Sequence, residues 1–375
     1  MIKGVVCLDL GGNMKLRKLA AIVLAGALCL TTFVGCGVNP TETAATLGKQ
    51  EVSAGVVNFV CKYQKASLDD MYSAYFGGTD FWSQDLYGNG TTMEENVKSS
   101  VMDSLHDLYT LKAHMADCKV EITADEEAAI KKAAAAFLSS NSKEAIKEMG
   151  ATEEIVTEVL TLYTIQAKMY DAMIVDTDRN VSDEEANMRG ITLVSIGIAG
   201  EYNDKGTYEK YTDAEIKAIK AKAEKVLTES SSVGLEKAAK DNGYTAQDTA
   251  YNKQDDSMDK TLREALNALK VGETSKVIET TSTLYIAKID EDVDAKATEE
   301  NREAIITERE NKVYSDQLTK WQKDDGWKVD ESVVEKIDFH NTITQKDPSA
   351  KDTEKNTEKG TEKVDSTEKV ESTEK

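Results

Sequence analysis

Apolar positions along the chain follow two different periods, and the change between them divides the sequence. Val56, Phe59, Val60 and Tyr63 recur at spacings of three and four, the mark of a helix beginning near Val52. Just ahead of it, residues 44–53 read as a short strand and turn centred on Gly48-Lys49. Val97, Val101, Leu105, Leu108, Tyr109 and Leu111 form the stripe of a second helix over about 92–117. It is opened by Thr92 and Glu95, a capping box in which hydroxyl and carboxylate each satisfy a backbone N–H. Thr123 with Glu126 opens a third helix, and Ile155, Val159, Leu160, Leu162, Tyr163 and Ile165 run along a fourth over 152–174. Ser182-Asp-Glu-Glu185 starts a further turn or two.

From residue 191 the period shortens. Ile191-Thr-Leu-Val-Ser-Ile-Gly-Ile198 is an apolar, β-branched run, and Thr283-Leu-Tyr-Ile-Ala-Lys-Ile289 is a second one. Between them Thr212 and Glu215 cap a helix carrying Ile216, Ile219, Ala223 and Val226, and Val271-Gly-Glu273 makes a turn. A long helix over 298–325 follows, its stripe being Ile306, Val313, Leu318 and Trp321. That stripe is expected to pack back onto the N-terminal helices. Val333-Val-Glu-Lys-Ile-Asp-Phe339 is expected to be a last short strand or extended segment. The pattern therefore predicts an α+β protein in which a mostly helical N-terminal part, completed by the C-terminal helix, brackets a small α/β module.

Composition narrows what such a protein can bind. The net charge is −22, from 68 acidic and 46 basic residues, so the surface repels phosphate backbones and excludes nucleic acid as a partner. It also disfavours anionic lipid unless a dedicated anchor is present. Pro40 and Pro348 are the two prolines, and no proline interrupts the helical pattern between them. From Asn341 onward a repeated Thr-Glu-Lys pattern offers nothing to bury and reads as a disordered tail over 341–375.

The N-terminus carries an export signal. Met14-Lys-Leu-Arg-Lys18 is a basic stretch, residues 19–30 are apolar, and Thr-Thr-Phe-Val-Gly-Cys follows over 31–36. The end of this stretch resembles a bacterial lipobox, which implies a diacylglyceryl anchor on Cys36, although Phe33 departs from the usual leucine. Gly11-Gly12-Asn13 ahead of Met14 is what a translated ribosome-binding site would encode, so translation is expected to start at Met14. Once the leader is removed, Cys61 and Cys118 remain beside Cys36. They could form a disulfide in an exported protein, or stay as two buried thiols.

Candidate chemistry is sparse. His106 and His114 lie eight residues apart on one predicted helix, too far to share a metal unaided, and no His-x-x-x-His spacing exists. No metal or cofactor is expected. Gly88-Asn-Gly90 is a turn signal that lacks the strand and basic residue of a phosphate loop. No Gly-x-Ser-x-Gly occurs. Aromatic residues crowd the stretch between Phe59 and Tyr87, including Phe76, Phe81 and Trp82; they read either as core packing with an ordered loop or as an apolar surface.

The tether after Cys36, the strand and turn at Gly48, the aromatic helix and the order of helices up to Glu185 resemble the layout of PrsA-type foldase lipoproteins, relatives of the SurA chaperones. The resemblance covers about residues 40–340. In that family a parvulin-type peptidylprolyl isomerase module follows the helical arm. Ala265-Leu-Asn-Ala-Leu-Lys-Val-Gly-Glu-Thr-Ser275 is similar to its helix end and turn, and this is the most specific fragment. Val277-Ile-Glu-Thr280 and Thr283-Leu-Tyr-Ile-Ala-Lys288 match its last two strands. The resemblance implies a signal with lipobox over 1–36, a helical chaperone domain over 37–187, a parvulin-like module over 188–292, and a returning C-terminal helix over 293–340.

The family's catalytic pattern is degenerate here. Its first-strand histidine is taken to align with Thr192, its closing-strand histidine with Tyr285, and its apolar Met-Phe pair with Met258 and Leu262. No histidine occurs between His114 and His340, and the Gly-Gly-x-Leu-Gly segment is replaced by Thr245-Ala-Gln-Asp-Thr-Ala250. Twisting an X-Pro amide means lowering a barrier of ~20 kcal/mol in a shaped, largely dry pocket. Without the histidine frame, such activity is expected to be weak or absent. The resemblance then implies a foldase anchored through Cys36 on the extracytoplasmic face of the cell membrane. Its partners would be unfolded exported proteins, held through an apolar surface that includes Phe76, Phe81 and Trp82. Two alternatives are residual peptidylprolyl isomerase activity and a non-catalytic lipoprotein that binds a ligand or an assembly.

Overall fold

The computed structural model describes residues 38–76, 80–204, 206–341 and 343. The leader, Cys36 and the Thr-Glu-Lys tail lie outside the described residues. Two compact units are present. The first takes Met1–Tyr109, Ile122–Thr164 and Asp325–Lys375, the second Thr110–Glu121 and Ile165–Asp324.

In the first unit, β1 (Thr43–Leu47) and β2 (Gln50–Ser53) form an antiparallel hairpin. Its two-residue turn places Gly48 at φ 59°, a left-handed conformation that glycine adopts without Cβ strain. Helix α1 (Ala54–Phe76) follows directly, then a 3-10 turn (Asp80–Ser83) and α2 (Met93–Ala113). Helices α3 (Ala124–Ser140), α4 (Lys143–Met149) and α5 (Glu153–Met173) complete the helical set, with α2 and α5 contributing residues to both units. The capping boxes expected at Thr92 and Thr123 both form: Thr92 N–H donates to Glu95 Oε2 at 2.7 Å, and Glu126 N–H to Thr123 Oγ1 at 3.3 Å.

The second unit holds α6 (Asp183–Ala186), the long strand β3 (Met188–Gly197), and a small hairpin of β4 (Gly200–Tyr202) and β5 (Tyr208–Lys210). Then come α7 (Asp213–Val233), α8 (Leu235–Asp241), β6 (Ala246–Asn252), α9 (Lys260–Asn267), β7 (Ile278–Glu279) and β8 (Thr283–Glu291). The sheet order is β6-β3-β8-β7, antiparallel throughout. The capping boxes at Ser182 and Thr212 form as the sequence suggests. The turn at Val271–Glu273 uses Gly272 at φ 83°, and its N–H donates to the Ile289 carbonyl at 2.7 Å.

Helix α10 (Ala295–Gln322) begins earlier than the pattern indicates, because Asp294 is its N-cap and accepts from Ala297 N–H at 2.9 Å. Thr298 lies inside the helix instead, where its hydroxyl accepts the Met188 N–H at 3.0 Å. In the second unit α10 packs on α6 and β3, and Asn311 accepts from the Tyr170 hydroxyl at 3.0 Å. The first unit is completed from the C-terminal side by β9 (Trp327–Val329), which pairs antiparallel with β1, and by α11 (Glu331–Val334). Of the short strand or extended segment expected over 333–339, Val333 and Val334 instead end α11, and residues 337–340 have no regular secondary structure. Asp330 accepts the Ser332 N–H at 3.1 Å and starts that helical turn, while the strand falls earlier, at Trp327.

The core of the first unit is aliphatic with aromatic residues set into it. Phe81, Trp82, Leu105, Tyr109 and Phe339 are almost wholly buried in it, and each such side chain contributes about 2–3 kcal/mol in water-to-core transfer. The hydrophobic clusters of the second unit sit on the two faces of its sheet. One gathers Val194, Ile196, Leu284 and Ile286 with α7 and α8 residues; the other gathers Ile191, Ala287 and Ile289 with Leu262 and Leu266 of α9.

Candidate functional site

Strand alternation decides what the sheet can present, since successive side chains point to opposite faces. Thr192 is opposite Lys288 and Asp248, and it shares its face with Val194 and Ile196. Tyr285 is opposite Ser195 and Ile278, and it shares its face with Ile191 and Leu193. The two positions singled out from the sequence are thus on opposite faces, and the structure does not bring them together. Thr192 is 5% exposed, and its hydroxyl donates to Asp290 Oδ2 at 2.7 Å. Asp290 also accepts from Lys288 Nζ at 2.6 Å, so the threonine is held in a polar cluster at the end of the α7–α8 face.

The other face is apolar and includes three of the four candidate positions. Leu262, on α9, is buried with Ile191, Ile278 and Ile289, and Met258 and Tyr285 pack against the same cluster. Asp259 fixes α9 over the sheet, because its carboxylate accepts the Thr261 N–H at 2.8 Å and the Leu262 N–H at 3.1 Å. At the far end of the helix stands Arg189, a residue the sequence reading passed over. Only 3% exposed, it donates from one nitrogen to the Leu266 carbonyl and the Tyr251 hydroxyl, both at 3.1 Å. A second nitrogen reaches the Leu269 carbonyl at 3.0 Å and Asp292 at 2.8 Å. The guanidinium thus satisfies carbonyls left over at the end of α9 and ties that helix to β3 and β6. Burial raises the Tyr251 hydroxyl above its ordinary pKa, with Arg189 opposing the rise. An arginine on a strand otherwise running apolar was the available signal.

This face presents apolar side chains with two tyrosines, the buried Tyr251 and the partly buried Tyr285. It offers no histidine, since the chain's three histidines are His106, His114 and His340. Among the described residues, no group of three or more His, Cys, Asp or Glu side chains is arranged to hold a metal.

The aromatic candidates of the first unit are placed differently from a client-binding surface. Phe81 is fully buried and Trp82 is 1% exposed. The Trp82 ring stacks at a tilt on Phe81, with centroids 4.7 Å apart, and its Nε1 donates to Asp69 Oδ1 at 2.7 Å. They are core residues as the chain stands, because the 3-10 turn directs both rings inward. Phe76 closes α1, and its side chain lies outside the described residues. Cys61 and Cys118 are both free thiols, Cys61 buried and Cys118 half-buried.

Comparison with known proteins bears on the second unit. Residues 201–303 match the sequence profile of the PPIC-type PPIASE domain, the parvulin type of peptidylprolyl isomerase. That stretch includes α9, the Gly272 turn and β8, and it leaves out β3. No curated protein sequence matches the chain. Among solved structures, the chain is similar to the foldase protein PrsA of Lactococcus lactis, at 16% identity and a TM-score of 0.32, over 78% of this chain and 96% of that one. It is similar to the peptidylprolyl isomerase PrsA of Bacillus cereus at 14% identity and a TM-score of 0.30, over 80% and 98% of the two chains. A structure of SurA-like chaperones from Campylobacter jejuni gives 12% identity and a TM-score of 0.27, over 76% and 98%. What bears on function is the domain match and the sheet's geometry.

Proposed function

We propose that this protein is an extracytoplasmic foldase of the chaperone kind, anchored to the cell membrane through a lipid on Cys36, which binds unfolded exported proteins and assists their folding. The observation that carries the reading is the PPIC-type match over 201–303 on a sheet whose apolar face holds Tyr285, Met258 and Leu262 and no histidine. A module of this type without the histidine pair keeps a surface for apolar side chains and loses the frame that shapes a twisted amide. Binding needs no catalytic group: many weak apolar contacts, each worth about 25 cal/mol per Å² before ordering costs, hold a client without a specific motif. No helix among the described residues is long and apolar enough to cross a membrane.

Two assays on the mature chain test the reading together. Suppression of aggregation of a chemically denatured test protein is expected, and its absence would sink the chaperone role. A protease-coupled prolyl-peptide assay is expected to stay near the uncatalysed background. A clear acceleration would instead favour an isomerase working through Tyr285, the partly buried tyrosine packed against this apolar cluster with Met258. For the anchor, Cys36→Ser is expected to release the protein from the membrane fraction.

A further inference from the structure

The two edges of the second unit's sheet are finished differently. At one edge β7 is two residues long, and the chain around Gly272 takes up the outward groups of β8 beyond it. Gly272 N–H donates to the Ile289 carbonyl and Ser275 N–H to the Ala287 carbonyl, both at 2.7 Å. At the other edge β6 runs for seven residues in unbroken register with β3, and it contains no proline, lysine or bulge. Those devices are the usual ones that keep an exposed edge from pairing.

Hydrogen bonding fixes which residues of β6 face outward. Ile289 and Ala287 use their backbone groups away from β3: Ile289 N–H donates to the Glu273 carbonyl at 3.1 Å, and Ala287 N–H to Ser275 Oγ at 2.9 Å. Their β3 partners Ile191 and Leu193 therefore turn their own groups toward β6, onto Thr249 and Gln247. Alternation leaves the N–H and C=O of Ala246, Asp248 and Ala250 pointing away from the sheet. Among the described residues none of these groups has a hydrogen-bond partner. Residues 247–249 are exposed and 246 and 250 half-buried, so solvent reaches this edge. The open run stops at Asn252, whose carbonyl accepts the Asp255 N–H at 3.1 Å.

Donors and acceptors that recur every second residue, about 7 Å apart, are matched by another extended backbone. The side chains say which one. Asp248 is the middle of the three outward residues, flanked by two alanines. Its carboxylate accepts the Thr192 hydroxyl at 3.3 Å, and among the described residues no cation pairs with it. Lys288, on the same face, is taken by Asp290 at 2.6 Å. Pairing β6 with its own copy about a two-fold axis at Asp248 would set two carboxylates opposite each other, on chains that each carry −22. Like charges directly opposite across strands oppose such pairing.

We propose that the outer edge of β6 takes an extended polypeptide segment as a fifth strand of the sheet, with a lysine or arginine of that segment set against Asp248. The identity of the segment as part of an unfolded exported protein rests on the chaperone reading; the edge itself does not.

The test uses the full chain and an end-blocked nonapeptide, Thr-Val-Thr-Val-Lys-Val-Thr-Val-Thr, with amide exchange followed residue by residue by NMR. At about ten times its Kd, the peptide is expected to slow exchange at Ala246, Asp248 and Ala250 by about tenfold. Gln247 and Thr249, already bonded to β3, should change little. The same peptide with glutamate in place of lysine is expected to bind roughly fivefold more weakly, and Asp248→Lys should reverse that order. N-methylation at the lysine and at the residues two to either side of it should abolish the slowing, because it removes the donors of the new ladder. No binding, binding without slowing at the three amides, or equal binding of the methylated peptide overturns the proposal. So does a preference that Asp248→Lys leaves unchanged. Concentration-dependent slowing without peptide would make a second copy the occupant and overturn it too. Should Asp248→Lys fail to fold, the three peptides on the unaltered chain decide. The aggregation assay separates this proposal from the chaperone reading. Slowed edge amides without suppression of aggregation would sink the chaperone role and leave the edge site standing; suppression with the three amides unchanged would do the reverse.

Discussion

Thr192 and Tyr285 stand on neighbouring strands of one sheet and point to opposite faces of it, Thr192 in register with Lys288 and Tyr285 in register with Ser195. A hydroxyl on each is therefore no pair. Thr192 serves a polar cluster with Asp290, and Tyr285 borders the apolar face under α9. Thr192→Val and Tyr285→Phe are expected to act independently. In a double-mutant cycle read by urea denaturation, their stability effects should add to within about 0.5 kcal/mol. A larger coupling would show that the two side chains share an environment after all.

Arg189 closes α9 against the sheet through the carbonyls of Leu266 and Leu269. Arg189→Met keeps the bulk of the side chain but leaves those buried acceptors and the Tyr251 hydroxyl without their donor. A loss of roughly 2–4 kcal/mol is expected, combining several charge-assisted hydrogen bonds. Asp292, the partner carboxylate, is 63% exposed, so no buried charge is stranded by the change. Thermal unfolding with far-ultraviolet circular dichroism measures it.

Burial pushes the Cys61 thiol up from its ordinary 9.0 to about 12, against the opposing pull of Lys98 and Lys62. The folded chain keeps this proton where the unfolded chain releases it. The contribution to stability is therefore complete below pH 9.0 and falls as pH rises from there toward about 12. The slope reaches at most about 1.4 kcal/mol per pH unit. Cys61→Ala should flatten this alkaline decline relative to wild type. Tyr109, raised by burial and by its hydrogen bond to Glu158, declines with the same sign in both proteins and cancels in the comparison. A thiol reagent at neutral pH should label Cys118 well before Cys61.

Asp69 is buried between Lys65, four residues earlier on α1, and the indole of Trp82. Trp82→Phe deletes the indole donor and part of the ring. A destabilisation of about 2–4 kcal/mol is expected from the lost hydrogen bond and the cavity together. Equilibrium denaturation followed by circular dichroism reads it, and an unchanged midpoint would mean that the ring contributes little to this core.

Much of the fold was legible because its signals are local. A hydroxyl followed three residues later by a carboxylate satisfies the same N–H groups in any context, and the boxes at Thr92, Thr123, Ser182 and Thr212 all form. The periods of three to four and of two likewise placed α1, α2, α5, α7, β3 and β8. Local signals failed where competing local and distant terms meet. Asp294 outcompetes Thr298 as the cap of α10, because the Thr298 hydroxyl is taken by the Met188 N–H. Val333 and Val334, read as the start of a short strand or extended segment, lie instead in α11, which Asp330 caps.

The sequence by itself determined the class, α+β with helices flanking a small sheet, and the absence of histidine from that sheet. Those follow from which residues are present and how they are spaced. Only the tertiary structure decided which side chains share a face. Successive side chains of a strand point to opposite faces, so one step of register moves a side chain to the other side of the sheet. That step puts Ile191, and not Thr192, on the face of Tyr285. The same holds for Trp82, whose neighbour Phe339 comes from the far end of the chain, so nothing in the sequence around either residue announces the contact that buries both.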